Sequence, residues 1–268
     1  MLDKIRKIDP RYLFLLFFLG VFADAFLFHT HMKSPWQLLA AVAGALGTDV
    51  LFNYFRHKKW TFPQSGLVSS CGTFTLISSP IVWPYFLLGF LAIYSKHFIT
   101  FSNKHIFNPV NFGACLVLFY CNDVVQNGGS TWSGRYFMIP YLLLVGTFLT
   151  LVAGRFIVSA SYLAFFWLFD YFYLGQHLPA NITSLAAPPF MLFIFFMISD
   201  PKTTPKVWWH QMLFAAAVVF IEGMFKLNRI PNGVLWALLI TCALYAVIIP
   251  LAKEMAMKLM VPQGQGAR

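Results

Sequence analysis

The residues best placed to do chemistry in this chain are carboxylates that stand where a charge is costly. Asp24, Asp49, Asp170 and Glu222 fall inside or at the edges of long apolar runs. Asp200 opens the polar run Asp200-Pro201-Lys202-Thr203-Thr204-Pro205 at the end of another. Acids within membrane segments face protein or water and often mark ion or proton paths. The plainer alternative is that each lies near an interface and caps, or pairs with, a local group. Asp170 and Glu222, beside polar ends, fit that alternative, whereas Asp49, following Gly47-Thr48, fits an ion path. Asp200 has two roles open to it. Ser199 or Asp200 can cap the next helical piece, or the carboxylate can hold a cation or orient the polar edge of a cofactor. Thr203 and Thr204 either offer hydroxyls to a ligand or cap the helix beginning near Lys206.

A second unusual stretch is Asn103-Lys104-His105-Ile106-Phe107-Asn108-Pro109-Val110-Asn111-Phe112-Gly113, between two apolar runs. Proline lacks an N–H and pushes the residue before it towards extended geometry, so Asn108-Pro109 does not belong in a helix interior. Near lipid, backbone leaves the helix only where protein or a water-filled cavity satisfies it. Asn108, Pro109 and Asn111 are read as shaping the return of the following helix, and so as framing a site. Cys71, Cys115, Cys121 and Cys242 have no Cys-x-x-Cys spacing and read as small buried hydrophobes. No two of the seven histidines have the mid-helix placement that a bis-histidine haem needs. Asn181-Ile182-Thr183 fits the glycosylation sequon, read as a chance match in a chain that looks bacterial.

The elements that must position these residues are membrane helices. Of 268 residues, 59% are hydrophobic and 10% charged, against roughly 25% charged in a soluble domain. Ten segments follow, at about 12–28, 36–54, 66–79, 83–98, 114–120, 136–153, 156–173, 185–199, 208–225 and 234–252. No cleavable signal peptide is evident, and residues 261–268 read as a disordered tail. With a cytoplasmic N-terminus, Lys33, Arg135, Lys226 and Arg229 fall outside and the other fifteen of the nineteen cations fall inside. That asymmetry obeys the positive-inside rule, with both termini cytoplasmic. The basic balance is therefore topology rather than nucleic-acid binding.

The segments also repeat. Ile77-Ser78-Ser79-Pro80 is echoed by Ile198-Ser199-Asp200-Pro201 at an offset of 121, and Pro109 by Pro231 at an offset of 122. A Trp-led helix follows each first landmark, from Trp83 and from Trp208. An offset of five helices inverts the orientation of corresponding segments. The expected architecture is an all-α polytopic membrane protein, one integral domain of ten transmembrane segments in a 5+5 inverted repeat. Repeat 1 covers about 12–121 and repeat 2 about 135–252. Two discontinuous helices, broken at Ser79-Pro80 and Asp200-Pro201, face each other at the pseudo-twofold axis, where ligands bind in such folds.

At these residues the chain resembles the RnfD/NqrB family, membrane subunits of the Rnf and sodium-translocating NADH:quinone reductase complexes. The run Phe196-Met197-Ile198-Ser199-Asp200-Pro201-Lys202-Thr203-Thr204-Pro205 is similar to that family's second-half signature, and Lys104–Gly113 to its first-half Asn-Pro element. The resemblance covers roughly Leu67 to Pro250. It implies a multi-pass subunit of the bacterial inner membrane, working with other redox or membrane subunits and carrying electrons with FMN or riboflavin. Covalent FMN in the family uses the threonine of a Ser/Thr-Gly-Ala-Thr motif. Here the corresponding loop reads Asn127-Gly128-Gly129-Ser130-Thr131-Trp132-Ser133-Gly134, with a threonine but no Gly-Ala-Thr. Thr131 is thus a flavinylation candidate in a glycine-rich turn, and the chain is similar to shortened, stand-alone relatives of RnfD. Candidate ligand-binding residues are Ser199, Asp200, Pro201, Thr203, Thr204, Ser79, Asn108, Asn111 and Thr131, with Asp49 on an ion path. The alternative is a solute or ion channel or transporter on the same fold without flavin.

Overall fold

The computed structural model describes residues 10–27, 33–58, 63–101, 104–128, 138–175 and 188–260. Thr131, the Asn181 sequon and the tail 261–268 lie outside them. Ten helices run through the described residues. They are α1 (Pro10–Leu27), α2 (35–57), α3 (Gln64–Leu76), α4 (Trp83–Phe98), α5 (Pro109–Tyr120), α6 (Met138–Val152), α7 (Phe156–Leu174), α8 (188–197), α9 (Trp208–Leu227) and α10 (Gly233–Met260). Three stretches, Pro35–Arg56, Phe156–Tyr173 and Trp208–Leu227, are long and apolar enough to cross a membrane. Shorter apolar stretches are Phe14–Ala23, Pro109–Tyr120, Ile139–Val152 and Gly233–Ile248.

Local chemistry sets the helix ends. Pro35 occupies the first turn of α2, where its missing N–H costs nothing, and the Ser34 N–H donates to Gln37 Oε1 at 2.7 Å. Asn108 opens α5 in the same manner: its Oδ1 accepts from the Asn111 N–H at 3.1 Å and Pro109 follows. The fifth helix therefore begins at Pro109, five residues before the apolar run that marks it in the sequence. α7 stops at Gly175, whose φ of +60° favours glycine. Two helices change pitch. Ala43–Gly47 in α2 and Phe193–Met197 in α8 each form one π-helical turn, a device frequent at functional sites.

α2 packs on α4, α4 on α5, α7 on α9 and α9 on α10, while α1 lies against α3 and α6 against α8. α1 also touches α6, and α5 touches α10. The α2–α4 contact is a close approach of backbones. A Cβ on Gly89 would stand 2.7 Å from the Ala45 nitrogen, and one on Gly44 would stand 2.2 Å from the Phe86 carbonyl oxygen. Small residues permit such contacts between apolar helices. The largest fully buried side chains include Tyr85, Tyr162, Phe17 and Phe193.

Among the described residues, α3 spans 13 residues and α5 spans 12. α3 gives way at Ile77–Ser78 to a strand, β1, which pairs antiparallel with β4 (Gln126–Asn127). A second small hairpin, β2 (Thr100–Phe101) with β3 (Lys104–His105), carries the chain from α4 to α5. Just ahead of α2, Lys33 is buried, and its Nζ donates to the Phe74 carbonyl at the end of α3. Burial pushes the Lys33 ammonium down to about 7.

Candidate functional site

A cavity of about 360 Å³ lies where α1, α3, α5 and α8 converge. Phe14 and Phe18 of α1, Val68 and Leu76 of α3, Val110 of α5, and Leu192, Phe196 and Met197 at α8 make its apolar wall. Ser65, Ser69 and Thr75 of α3 add hydroxyl-bearing side chains. His105, Asn108, Asp200 and Lys202 complete its polar lining. Each polar group arrives from an irregular junction: β3 brings His105, the cap of α5 brings Asn108, and the turn after α8 brings Asp200 and Lys202.

Asp200 is the hub. Its Oδ2 accepts from Asn108 Nδ2 at 3.4 Å and lies 3.7 Å from His105 Nε2. Its Oδ1 accepts from the Lys202 N–H at 3.0 Å, which folds the turn around the carboxylate. Its carbonyl accepts from the N–H groups of Thr203 and Thr204. Arg155, buried before α7, donates from Nη2 to the Pro201 carbonyl at 3.1 Å. Burial lowers the Arg155 guanidinium from its ordinary value, while the nearby Asp200 charge acts in the opposite direction. His105 Nε2 is buried and has no hydrogen-bond partner within the described residues. At 3.7 Å it is too far from Asp200 for a hydrogen bond. A ligand atom in the cavity would find an unused imidazole nitrogen there.

Of the residues singled out by sequence, Asp200, Pro201 and Asn108 line this cavity. Ser199, Thr203, Thr204 and Asn111 do not, and three of them are committed elsewhere. Ser199 Oγ donates to the Phe195 carbonyl at 2.6 Å and Thr204 Oγ1 to the Ile198 carbonyl at 2.6 Å, closing the end of α8. Thr203 is buried in the same turn, and its hydroxyl has no hydrogen-bond partner among the described residues. Asn111 Nδ2 donates to the Leu235 carbonyl at 3.0 Å, tying α5 to α10. Ser79 belongs to the turn after β1, where its Oγ accepts from the Ile81 N–H and its carbonyl accepts from Gln37 Nε2. The two breaks, Ser79-Pro80 and Asp200-Pro201, therefore do not share the cavity.

Asp49 also lies outside it. The side chain is 1% exposed, and its carboxylate meets Lys96 Nζ at 3.0 Å, His97 Nε2 at 2.9 Å and Asn53 Nδ2 at 3.3 Å. Such an arrangement neutralises a buried acid with partners from the end of α4. His105, Lys202 and Arg155 were not among the sequence candidates. His105 stood inside the Asn103–Gly113 stretch, but only the β2–β3 hairpin turns it towards Asp200.

The chain matches no protein-family model and no curated protein. The shape and chemistry of the cavity are thus the grounds for a function.

Proposed function

We propose that this chain is an integral membrane electron-transfer subunit resembling RnfD and NqrB, which holds a flavin non-covalently in the cavity between α3 and α8. The observation that carries the reading is the division of the cavity into aromatic walls and a polar lining with an unused donor, His105 Nε2. A flat ring system with a hydrogen-bonding edge suits that division, since ligand pockets combine apolar walls with a few placed polar groups. Phe14, Phe18 and Phe196 would lie against the ring faces. His105 Nε2 would meet the polar edge of the ring. Asn108 fixes Asp200, and Lys202, exposed beside the cavity, is available to the phosphate of FMN. The flavin would supply the redox chemistry, while the protein contributes binding, orientation and tuning of potential.

The architecture proposed with this function is ten membrane spans in a 5+5 inverted repeat, in the bacterial cytoplasmic membrane, with a cytoplasmic N-terminus. Packing supports it: α2–α4–α5 has its counterpart in α7–α9–α10, and α1–α3 in α6–α8. Exposed Leu144, Phe172, Leu213 and Phe220 suit contact with lipid. A partner subunit would donate or accept the electrons.

The test is an absorbance spectrum of the purified protein from flavin-replete cells, before and after acid precipitation. Flavin released into the supernatant is the expected result. Flavin that stays with the pellet would mean covalent attachment and would move attention to Thr131. A colourless protein in every fraction would sink the flavin reading and favour a solute channel or transporter, to be followed by uptake into proteoliposomes.

A further inference from the structure

A second polar cluster lies between α7 and α9. Tyr162, Phe166 and Asp170 follow one another at four-residue spacing along α7, so they share a face. Opposite them, α9 presents Glu222 and, one turn later, Lys226. Tyr162 donates its hydroxyl proton to Glu222 Oε2 at 2.6 Å. Lys226 Nζ lies 3.3 Å from Glu222 Oε1 and 3.2 Å from Asp170 Oδ1, and sits over the Phe166 ring at 3.9 Å from its centroid. Asp170 and Glu222 are 3% and 5% exposed.

Counting charges decides what the cluster does. Two ionised carboxylates with one ammonium leave a net negative charge buried between apolar helices, where an uncompensated charge is strongly disfavoured. α10 is also packed on α9; among its described side chains, residues 233–248 and 250, the titratable ones are Cys242 and Tyr245, and none is a cation. α8, which meets Tyr162 through Phe190 and Phe193, carries no titratable side chain from 188 to 197. The missing positive charge has a simple source, a proton on one of the two acids. Lys226 bridges both acids at nearly equal distance, and Tyr162 donates to Glu222, so the two carboxylates hold the proton between them. Lys226 is 32% exposed and gives the cluster a route to the surface.

We propose that Tyr162, Glu222, Lys226 and Asp170 form a proton-binding site in which Glu222 and Asp170 share one exchangeable proton at neutral pH. The proton comes from bulk water and adds to one of the two carboxylates, and no electron moves. The site is separate from the cavity and does not depend on what the cavity binds. Ionisable groups in such positions serve proton relays in membrane proteins.

The test is infrared difference spectroscopy on the full chain in lipid vesicles, reading the carbonyl stretch of a protonated carboxylic acid. The wild type should show this band at neutral pH, shifted in heavy water, and Glu222→Gln should remove it. Asp170→Asn removes the competing charge, so the band should retreat to lower pH by about one to three units. Tyr162→Phe removes a donor to the ionised form, so the band should persist to higher pH, by about one unit. These opposite shifts keep the test decisive if Glu222→Gln does not fold. Absence of the band in the wild type at neutral pH overturns the proposal. So does a band that survives Glu222→Gln, or one that the other two replacements leave unmoved.

Discussion

Asn108 and Asp200 meet at 3.4 Å, joining the residue that starts α5 to the one that follows α8. The same asparagine caps α5 through its other side-chain atom. One side chain thus starts a helix with its oxygen and steadies a carboxylate with its nitrogen. Replacing it disturbs both, which makes it a poor probe of binding. His105 is the better one.

His105→Ala should lower flavin retention about tenfold, the worth of one hydrogen bond. Because His105 Nε2 has no partner within the described residues, thermal stability should be nearly unchanged. Equilibrium titration of the stripped protein with FMN checks this. Equal affinity of variant and wild type would remove His105 from the site.

Asp49→Ala should destabilise the fold by about 3–5 kcal/mol, because it strands Lys96 and His97 beside a buried gap. The double variant Asp49→Leu, Lys96→Met should recover much of that loss. Thermal unfolding in detergent reads both. If Asp49→Ala instead leaves stability intact and abolishes ion flux, the carboxylate belongs to an ion path after all.

Lys33 predicts a pH dependence. Its folded value is about 7, against an ordinary 10.5, so the unfolded chain binds more protons between the two. Stability should therefore rise with pH from about 7 towards 10.5, and the cost of burying the ammonium should be fully present below 7. Lys33→Met should flatten this part of the profile. A wild-type melting temperature that falls across the window would contradict the burial of Lys33.

Gly89→Ala should cost about 1–3 kcal/mol, since the added methyl meets backbone atoms of α2 and no flexible side chain can yield. Chemical or thermal unfolding in detergent is again the measure. An unchanged midpoint would mean that α2 and α4 part more easily than their contact suggests.

Much of the helical order was legible in the sequence because apolar runs and Pro/Gly punctuation mark segments without any knowledge of partners. Trp83 and Trp208 begin α4 and α9 as their runs suggest. The start of α5 was not legible, because Asn108-Pro109 breaks a helix interior and opens a helix equally well. Side-chain commitments were harder still. Ser199, Thr203 and Thr204 look like ligand hydroxyls in a list of residues, yet Ser199 and Thr204 bond to carbonyls of the segment they terminate. Asp170 and Glu222 pair as the plainer reading suggested, but both are buried, and the partnership of Tyr162 with Glu222 crosses helices that sequence spacing alone does not relate.

The cavity at the end of α8 has an electrical consequence. α8 ends at Met197, which lines the cavity, and Asp200 follows three residues later. In a membrane, a cavity open to bulk water would carry that water to the end of α8. A water-filled cavity is a conductor, so the transmembrane voltage would fall over the remaining protein rather than over the whole bilayer. Asp200 and His105, at the cavity edge, would then sit in a steeper field than residues at the same depth elsewhere. Charge moved past them would feel a larger share of the voltage for each ångström travelled.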